Sequence, residues 1–176
     1  ITSLADDLAM SLAAVDVRVE APIPGKSAIG IEVPNEHRSM VSMRGVLESP
    51  EFAQHRREEL PLPLGRDIAG APVVADLVSM PHLLIAGATG SGKSVCLHTV
   101  ILGLVMMHTP AEVRLMIIDP KRVEMAVYDG IPHLIAPVVV EPARVVGVLK
   151  WLSAEMDRRY QLFSEAGARN LEAYNK

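Results

Sequence analysis

Cysteine is nearly absent. The single Cys96 among 176 residues excludes an internal disulfide framework and a Cys-rich zinc site, and it points to a reducing compartment. Aromatic residues are scarce as well, at 3 %, and no basic stripe interleaved with stacking rings can be read as a nucleic-acid platform. Positive charge is not in excess. The chain holds 17 Lys+Arg against 21 Asp+Glu, a formal net charge of −4. That argues against a free-standing histone-like or heparin-binding protein and leaves room for a local nucleic-acid surface. Long apolar runs are missing too. The longest, Val95 to Met107, is interrupted by His98 and falls short of the span of about 20 residues that a bilayer requires. The start, Ile1–Asp7, has no basic flank before an apolar run, so no signal peptide is read there. The chain is therefore expected to be soluble and cytoplasmic, with no membrane segment. It contains no internal repeat and no low-complexity tract.

What remains is an ordinary globular composition, 49 % hydrophobic and 22 % charged, which rules out wholesale disorder. The length suits one full domain, or one small domain plus part of another. The chain begins without Met and ends on Asn175-Lys176 directly after a helical pattern, so it reads as an excised piece.

Two regions are expected. In residues 1–60, Leu4, Leu8 and Leu12 recur every four residues, and Ser3 followed by Asp6 resembles a capping box, so Leu4–Ala14 is predicted as an amphipathic helix. Val15, Val17 and Val19 alternate with charged residues, as do Ile29, Ile31 and Val33 with polar ones beyond the turn Ala21–Lys26, which predicts a hairpin. Val41–Leu47 and Phe52 predict a short helix. The charged run His55–Glu59 followed by Pro61 and Pro63 reads as a junction within His55–Leu64, or alternatively as a surface loop. The charge balance shifts across it, from 6 basic and 10 acidic side chains over residues 1–60 to 11 and 11 over residues 61–176.

Residues 61–176 alternate strands and helices. Pro72–Val78, Leu83–Ala86, Val113–Ile118 and Val138–Val140 read as apolar strands. Val95–Met107 reads as a helix buried on nearly all sides. Pro142 opens a long helix with Val145, Val148, Leu149, Leu152, Met156, Tyr160 and Phe163 on one stripe, stopped by Gly167. Strands without alternation, joined through helices, indicate a mostly parallel sheet covered on both faces, an α/β fold preceded by a small α+β domain.

The chemistry concentrates in Gly87-Ala88-Thr89-Gly90-Ser91-Gly92-Lys93-Ser94, a full G-x-x-x-x-G-K-[ST] pattern between an apolar strand and a helix. Its glycines admit backbone conformations that a Cβ hinders. Successive N–H groups then form a nest for phosphate oxygens, reinforced by the helix dipole. Lys93 places an ammonium where the β- and γ-phosphates of ATP lie, the catalytic part of the pattern. Ser94 offers a hydroxyl to Mg²⁺. Asp119, closing the apolar run Leu115–Ile118, is a second magnesium candidate, or else a strand-end turn with Pro120 and Lys121. Lys121-Arg122 could contact nucleotide, a neighbouring subunit or DNA, with a solvated turn as the plainer reading. Arg158 and Arg159 follow Glu155 at pairing distance along a helix. His82, His98, His108 and His133 lack ligand-like spacing, and Cys96 reads as packed.

A wider pattern surrounds these residues. Met80–Ser94, Val113–Lys121, Tyr128–Leu134, Glu20–Ser27, Gly65–Gly70 and Glu155–Tyr160 together resemble the motor region of the FtsK/SpoIIIE family of DNA translocases. The resemblance implies a small α domain over residues 1–60 and the first part of a RecA-like P-loop NTPase domain over residues 61–176. It further implies a homohexameric ring around double-stranded DNA that couples ATP hydrolysis to DNA pumping in chromosome segregation and cell division, with an intact protein anchored at the membrane by other segments. In RecA-like sheets the first strand after the P-loop helix lies toward the edge, and Pro120 stands where ring ATPases place a Glu, so the water-activating carboxylate and the arginine finger are expected outside this chain. The fragment is then expected to bind ATP without hydrolysing it efficiently. Two other readings stay open: a P-loop phosphotransferase acting on a small molecule, and a nucleotide-binding module without catalysis.

Overall fold

A computed structural model describes residues 5–25, 27–37, 39–55 and 60–175. It divides into two compact units, Ile1–Val41 and Ser42–Lys176.

In the first unit, helix α1 spans Ala5–Ser11, shorter than the predicted Leu4–Ala14. Its end is marked by Ala13, which takes a left-handed φ of 51°. Ser3 and Leu4 of the expected capping box, and Lys26 of the expected turn, lie outside the described residues. The predicted hairpin forms from β1 (Arg18–Glu20) and β2 (Gly30–Glu32), antiparallel with Arg18 opposite Glu32. An Arg18–Glu32 ion pair at 3.3 Å bridges the register. The strand starts later than the valine alternation suggests. The Asp16 carboxylate accepts the Val17 N–H at 2.8 Å, a local turn that competes with extended pairing. Val17 is buried while Val15 is fully exposed.

The second unit begins with two short helices rather than one, α2 (Met43–Leu47) and α3 (Pro50–His55). Ser42 caps α2 by accepting the Gly45 N–H at 3.1 Å. The Ser49 hydroxyl donates to the Val46 carbonyl at 2.7 Å and accepts from the Phe52 N–H at 3.1 Å, which splices the helices together. The hairpin β3 (Pro61–Arg66) and β4 (Pro72–Asp76) comes next in the chain. Helices α2 and α3 pack on this hairpin, and Val46, Phe52, Leu62, Pro61 and Pro63 are its fully buried side chains. The expected junction within His55–Leu64 is therefore displaced. The units part between Val41 and Ser42 because the apolar faces of α2 and α3 bury against β3 and β4. Pro61 and Pro63 sit in a strand. Among the described residues β3 pairs only with β4, and an edge strand tolerates the missing proline N–H. Arg56–Glu59, the charged part of that run, lie outside the described residues.

Helix α4 (Lys93–Met107) is the centre of this unit. One side, Val100 and Leu104, packs with Leu62, flanked by Leu60, Leu64, Leu77, Met80 and Ile85. Ile101 and Val105 face a second cluster of Ile117, Met125, Tyr128 and Val138. The helix meets β3 closely at Gly103, where an added Cβ would stand 2.8 Å from Pro63 Cδ. Val95, Leu102 and Met106 remain exposed, so α4 is buried on two sides rather than all round.

Parallel pairing is present, yet only as isolated bridges: Ile118 with Val139 joins the predicted strands 113–118 and 138–140, and Leu115 pairs with Leu134, outside them. Main-chain bonds of 2.8–2.9 Å run from Leu115 N–H to His133, Ile135 N–H to Leu115, Val139 N–H to Ile117 and Asp119 N–H to Val139. The extended ladders are the two antiparallel hairpins. The predicted strand Leu83–Ala86 pairs with nothing among the described residues, and Leu84 is 91 % exposed.

The long helix α5 (Pro142–Glu165) matches its forecast at both ends, with Pro142 in the first turn. At its end Gly167 has φ 65°. There the Gly167 N–H donates to Ser164 and the Ala168 N–H to Phe163, a Schellman closure. Its apolar stripe is not covered. No residue of α5 is buried, and Leu149, Leu152, Met156 and Tyr160 are exposed. Glu155 accepts from both Arg158 and Arg159 at 2.7–2.8 Å, as the spacing predicts. A short α6 (Leu171–Tyr174), capped by Asn170, closes the described chain. No helix among the described residues is long and apolar enough to cross a membrane.

Candidate functional site

The glycine-rich segment leaves the Ile85 region, turns, and enters α4 at Lys93. The Ser91 N–H donates to the Ala88 carbonyl at 3.1 Å. Gly90 and Gly92 take left-handed φ angles of 83° and 92°, which side-chain-bearing residues adopt only at a cost. Gly87 is constrained differently. Its φ is ordinary, and a Cβ there would collide with the Ser91 hydroxyl. The first glycine lies close against the Ser91 side chain, and the other two are needed for backbone shape.

Gly92 is the N-cap residue of α4 and brings no side-chain cap. The first N–H groups of a helix have no partner within it, so those of α4 remain available to an anion, at the positive end of the dipole. Ala88, Thr89, Ser91 and Lys93 are exposed around this opening, and Ser94 is half-buried. These features fit a phosphate chain. The loop has room, the donors are uncapped, and Lys93 supplies the cation.

Two residues beyond the loop complete the site. Asp119 is buried, and both of its carboxylate oxygens accept main-chain N–H groups. Oδ1 accepts the Lys121 N–H, and Oδ2 accepts those of Glu124 and Met125, all at 3.1 Å. The Met125 bond foremost, opposed by burial and aided by the other amides, holds the carboxyl below its ordinary value. These bonds fit the strand-end-turn alternative for Asp119. The turn passes through Arg122, a non-glycine residue at φ 61°, whose N–H donates to the Asp119 carbonyl. Lys121 and Arg122 are exposed on it.

The turn delivers Glu124, which the sequence reading missed. Glu124 Oε1 accepts the Ser94 hydroxyl at 2.7 Å. Leu83, Ile85, Lys93, Ser94, Leu97 and Glu124 line one cleft of about 200 Å³. The signal was thin, since Glu124 stands 30 residues after Ser94 in no recognised pattern. One turn further along, His98 Nδ1 lies 2.7 Å from the Tyr128 hydroxyl, tying α4 to the end of the same segment. Burial raises the Tyr128 phenol above its ordinary value. His133 serves the fold, with Nε2 2.8 Å from the His108 carbonyl. No cluster of three or more His, Cys, Asp or Glu suited to a metal occurs among the described residues.

Comparison with known proteins identifies the family. Residues 43–176 match the FtsK/SpoIIIE family and residues 1–35 the FtsK alpha domain. The chain is 59 % identical over its whole length to the DNA translocase FtsK of Halalkalibacterium halodurans, covering 22 % of that protein. It is 57 % identical over 99 % of its length to the DNA translocase SpoIIIE of Bacillus subtilis, again 22 % of the relative. The chain thus spans about a fifth of the length of these relatives. A solved structure of the pCW3 conjugation coupling protein TcpA, in monomer form with ATPγS, superposes with a TM-score of 0.55 at 24 % identity, covering 98 % of this chain and 46 % of the other. That likeness concerns the fold.

Proposed function

The chain belongs to the FtsK/SpoIIIE family, and on that premise we propose that it is the ATP-binding part of a hexameric motor that pumps double-stranded DNA during chromosome segregation and cell division. The observation that carries the reading is the uncapped N-terminus of α4, preceded by two left-handed glycines and followed at once by Lys93 and Ser94. The free amides of the loop and of the first turn donate to the phosphate oxygens. The Lys93 ammonium balances the charge of the β- and γ-phosphates, and Ser94 Oγ gives a lone pair to Mg²⁺. A magnesium ion held there would supply positive charge against the negative charge that develops in phosphoryl transfer. Helix α4 is held at its middle by β3 and by the Ile117–Tyr128 cluster, so a change of phosphate state at its tip is felt by a packed element.

Hydrolysis needs more than this cradle. A carboxylate to orient the attacking water and an arginine to meet the developing charge are not supplied by these residues. Asp119 is committed to its turn and Glu124 to Ser94. The chain alone therefore binds ATP and turns it over slowly, while the intact ring hydrolyses it under DNA stimulation.

The test is ATP turnover, with and without duplex DNA, in the full-length protein and in the 176-residue chain. DNA-stimulated turnover in the former and nucleotide binding without it in the latter are expected. Turnover that depends on a small-molecule acceptor and ignores DNA would overturn the reading.

A further inference from the structure

Ser94 poses a problem that its sequence pattern leaves unstated. A serine hydroxyl has one proton to donate and two lone pairs. To ligate a cation it must direct a lone pair at the metal, which obliges the proton to point elsewhere, toward an acceptor. Ligands of this kind are oriented by a partner outside the coordination shell, which also strengthens the donor oxygen. The Glu124 carboxylate stands at that place, 2.7 Å from Ser94 Oγ and on the accepting side of the bond.

We propose that Glu124 is a positioning residue for the magnesium-nucleotide site: it accepts the Ser94 proton and so keeps the Ser94 lone pairs turned to the cation. The proposal rests on the reading of this loop as an ATP site and adds a residue to it. Three features support it. The carboxylate is delivered rather than dangling, because the Glu124 N–H is fixed on Asp119 Oδ2 at 3.1 Å and the neighbouring Met125 is buried in the core. Leu83, Ile85 and Leu97 line the cleft beside it, and the Ser94–Glu124 bond is charge-assisted, the stronger kind. Lys93 shares the cleft and offsets the second negative charge near the phosphates. Asp119 then acts at two removes. It sets the turn that presents Glu124.

The measurement is the magnesium advantage, the ratio of the Kd for a fluorescent ATP analogue in EDTA to its Kd in saturating Mg²⁺, in the full-length protein. Glu124→Ala is expected to cut this ratio by about ten- to a hundredfold, the usual loss when such an outer partner is removed, with the EDTA affinity unchanged or tighter. Ser94→Ala in the Glu124→Ala background is expected to cost little more, since both act through one bond. Glu124→Gln, whose carbonyl still accepts the proton, is expected to recover most of the ratio. If Glu124→Ala does not fold, Glu124→Asp gives the same readout, because withdrawing the carboxylate by one methylene breaks the bond. A wild-type ratio in the Ala or Asp variant, or equal weakening with and without Mg²⁺, overturns the proposal and leaves the ATP reading standing. A wild-type protein that binds the analogue in neither condition overturns both.

Discussion

The contact between α4 and β3 at Gly103 makes a sharp prediction about sign. An alanine Cβ there would sit 2.8 Å from Pro63 Cδ and 3.2 Å from Cγ, both inside contact distance. Pro63 is a ring, fully buried in β3, and cannot swing aside as a flexible side-chain tip could. Overpacking of this kind costs about 1–3 kcal/mol. Alanine gains about 0.8–1.0 kcal/mol over glycine within a helix, so Gly103→Ala is expected to destabilise by about 0–2 kcal/mol. Gly147, inside α5, is the internal control, because a Cβ there meets nothing within 4 Å. Gly147→Ala is expected to stabilise by about 0.5–1 kcal/mol. The propensity gain is common to both, which leaves a gap of about 1–3 kcal/mol attributable to Pro63. Urea midpoints from circular dichroism, with matched slopes, measure it. A midpoint for Gly103→Ala equal to or above that of Gly147→Ala would refute the packing argument. Because the docking on β3 sets where the tip of α4 lies, Gly103→Ala should also weaken nucleotide binding, and Gly147→Ala should not.

Lys93→Ala removes the cation at the phosphates and should lower ATP affinity about ten- to a hundredfold, the scale of about 1.5–3 kcal/mol for a charged hydrogen bond; titration calorimetry with ATP checks this, and unchanged affinity sinks the nucleotide reading. Asp119→Asn leaves one oxygen for amides that now share two, so hydrogen exchange at Lys121, Glu124 and Met125 should quicken while that of α5 does not. The Glu155 carboxyl is held down at about 2 by the Arg158 and then the Arg159 guanidinium. Its folded value lies below its unfolded one, so its stabilising share is complete above about 4.5 and is lost as pH falls from there toward 2. Carboxyl-carbon NMR should find the low midpoint, and Glu155→Gln should flatten that part of the stability–pH curve.

The glycine-rich turn into α4 was legible because eight contiguous residues carry it, and Gly90 and Gly92 have a local reason to be glycine. The ends of α5 were legible on the same ground, with Pro142 and Gly167 acting within a turn of themselves. What depended on distant partners was not. Pro61 and Pro63 look like linker residues until β4 supplies a neighbour on one side only. The domain boundary moved to Val41–Ser42 because Val46 and Phe52 bury against strands that come later in the chain. Glu124 was invisible, since its position depends on a left-handed Arg122 and on where Asp119 sends its oxygens. The stripe on α5 shows the opposite limit. Periodicity identified the apolar face, and it does not dictate that anything within the chain covers it.

The apolar segment Leu83–Ala86 has a colloidal consequence. Leu84 stands almost wholly in water and Leu83 is exposed beside it, so the segment offers apolar side chains to solvent. Preparations of this polypeptide by itself will therefore be governed by concentration and ionic strength as much as by folding stability, and gatekeeping charges beside Leu84 are the place to improve their shelf life.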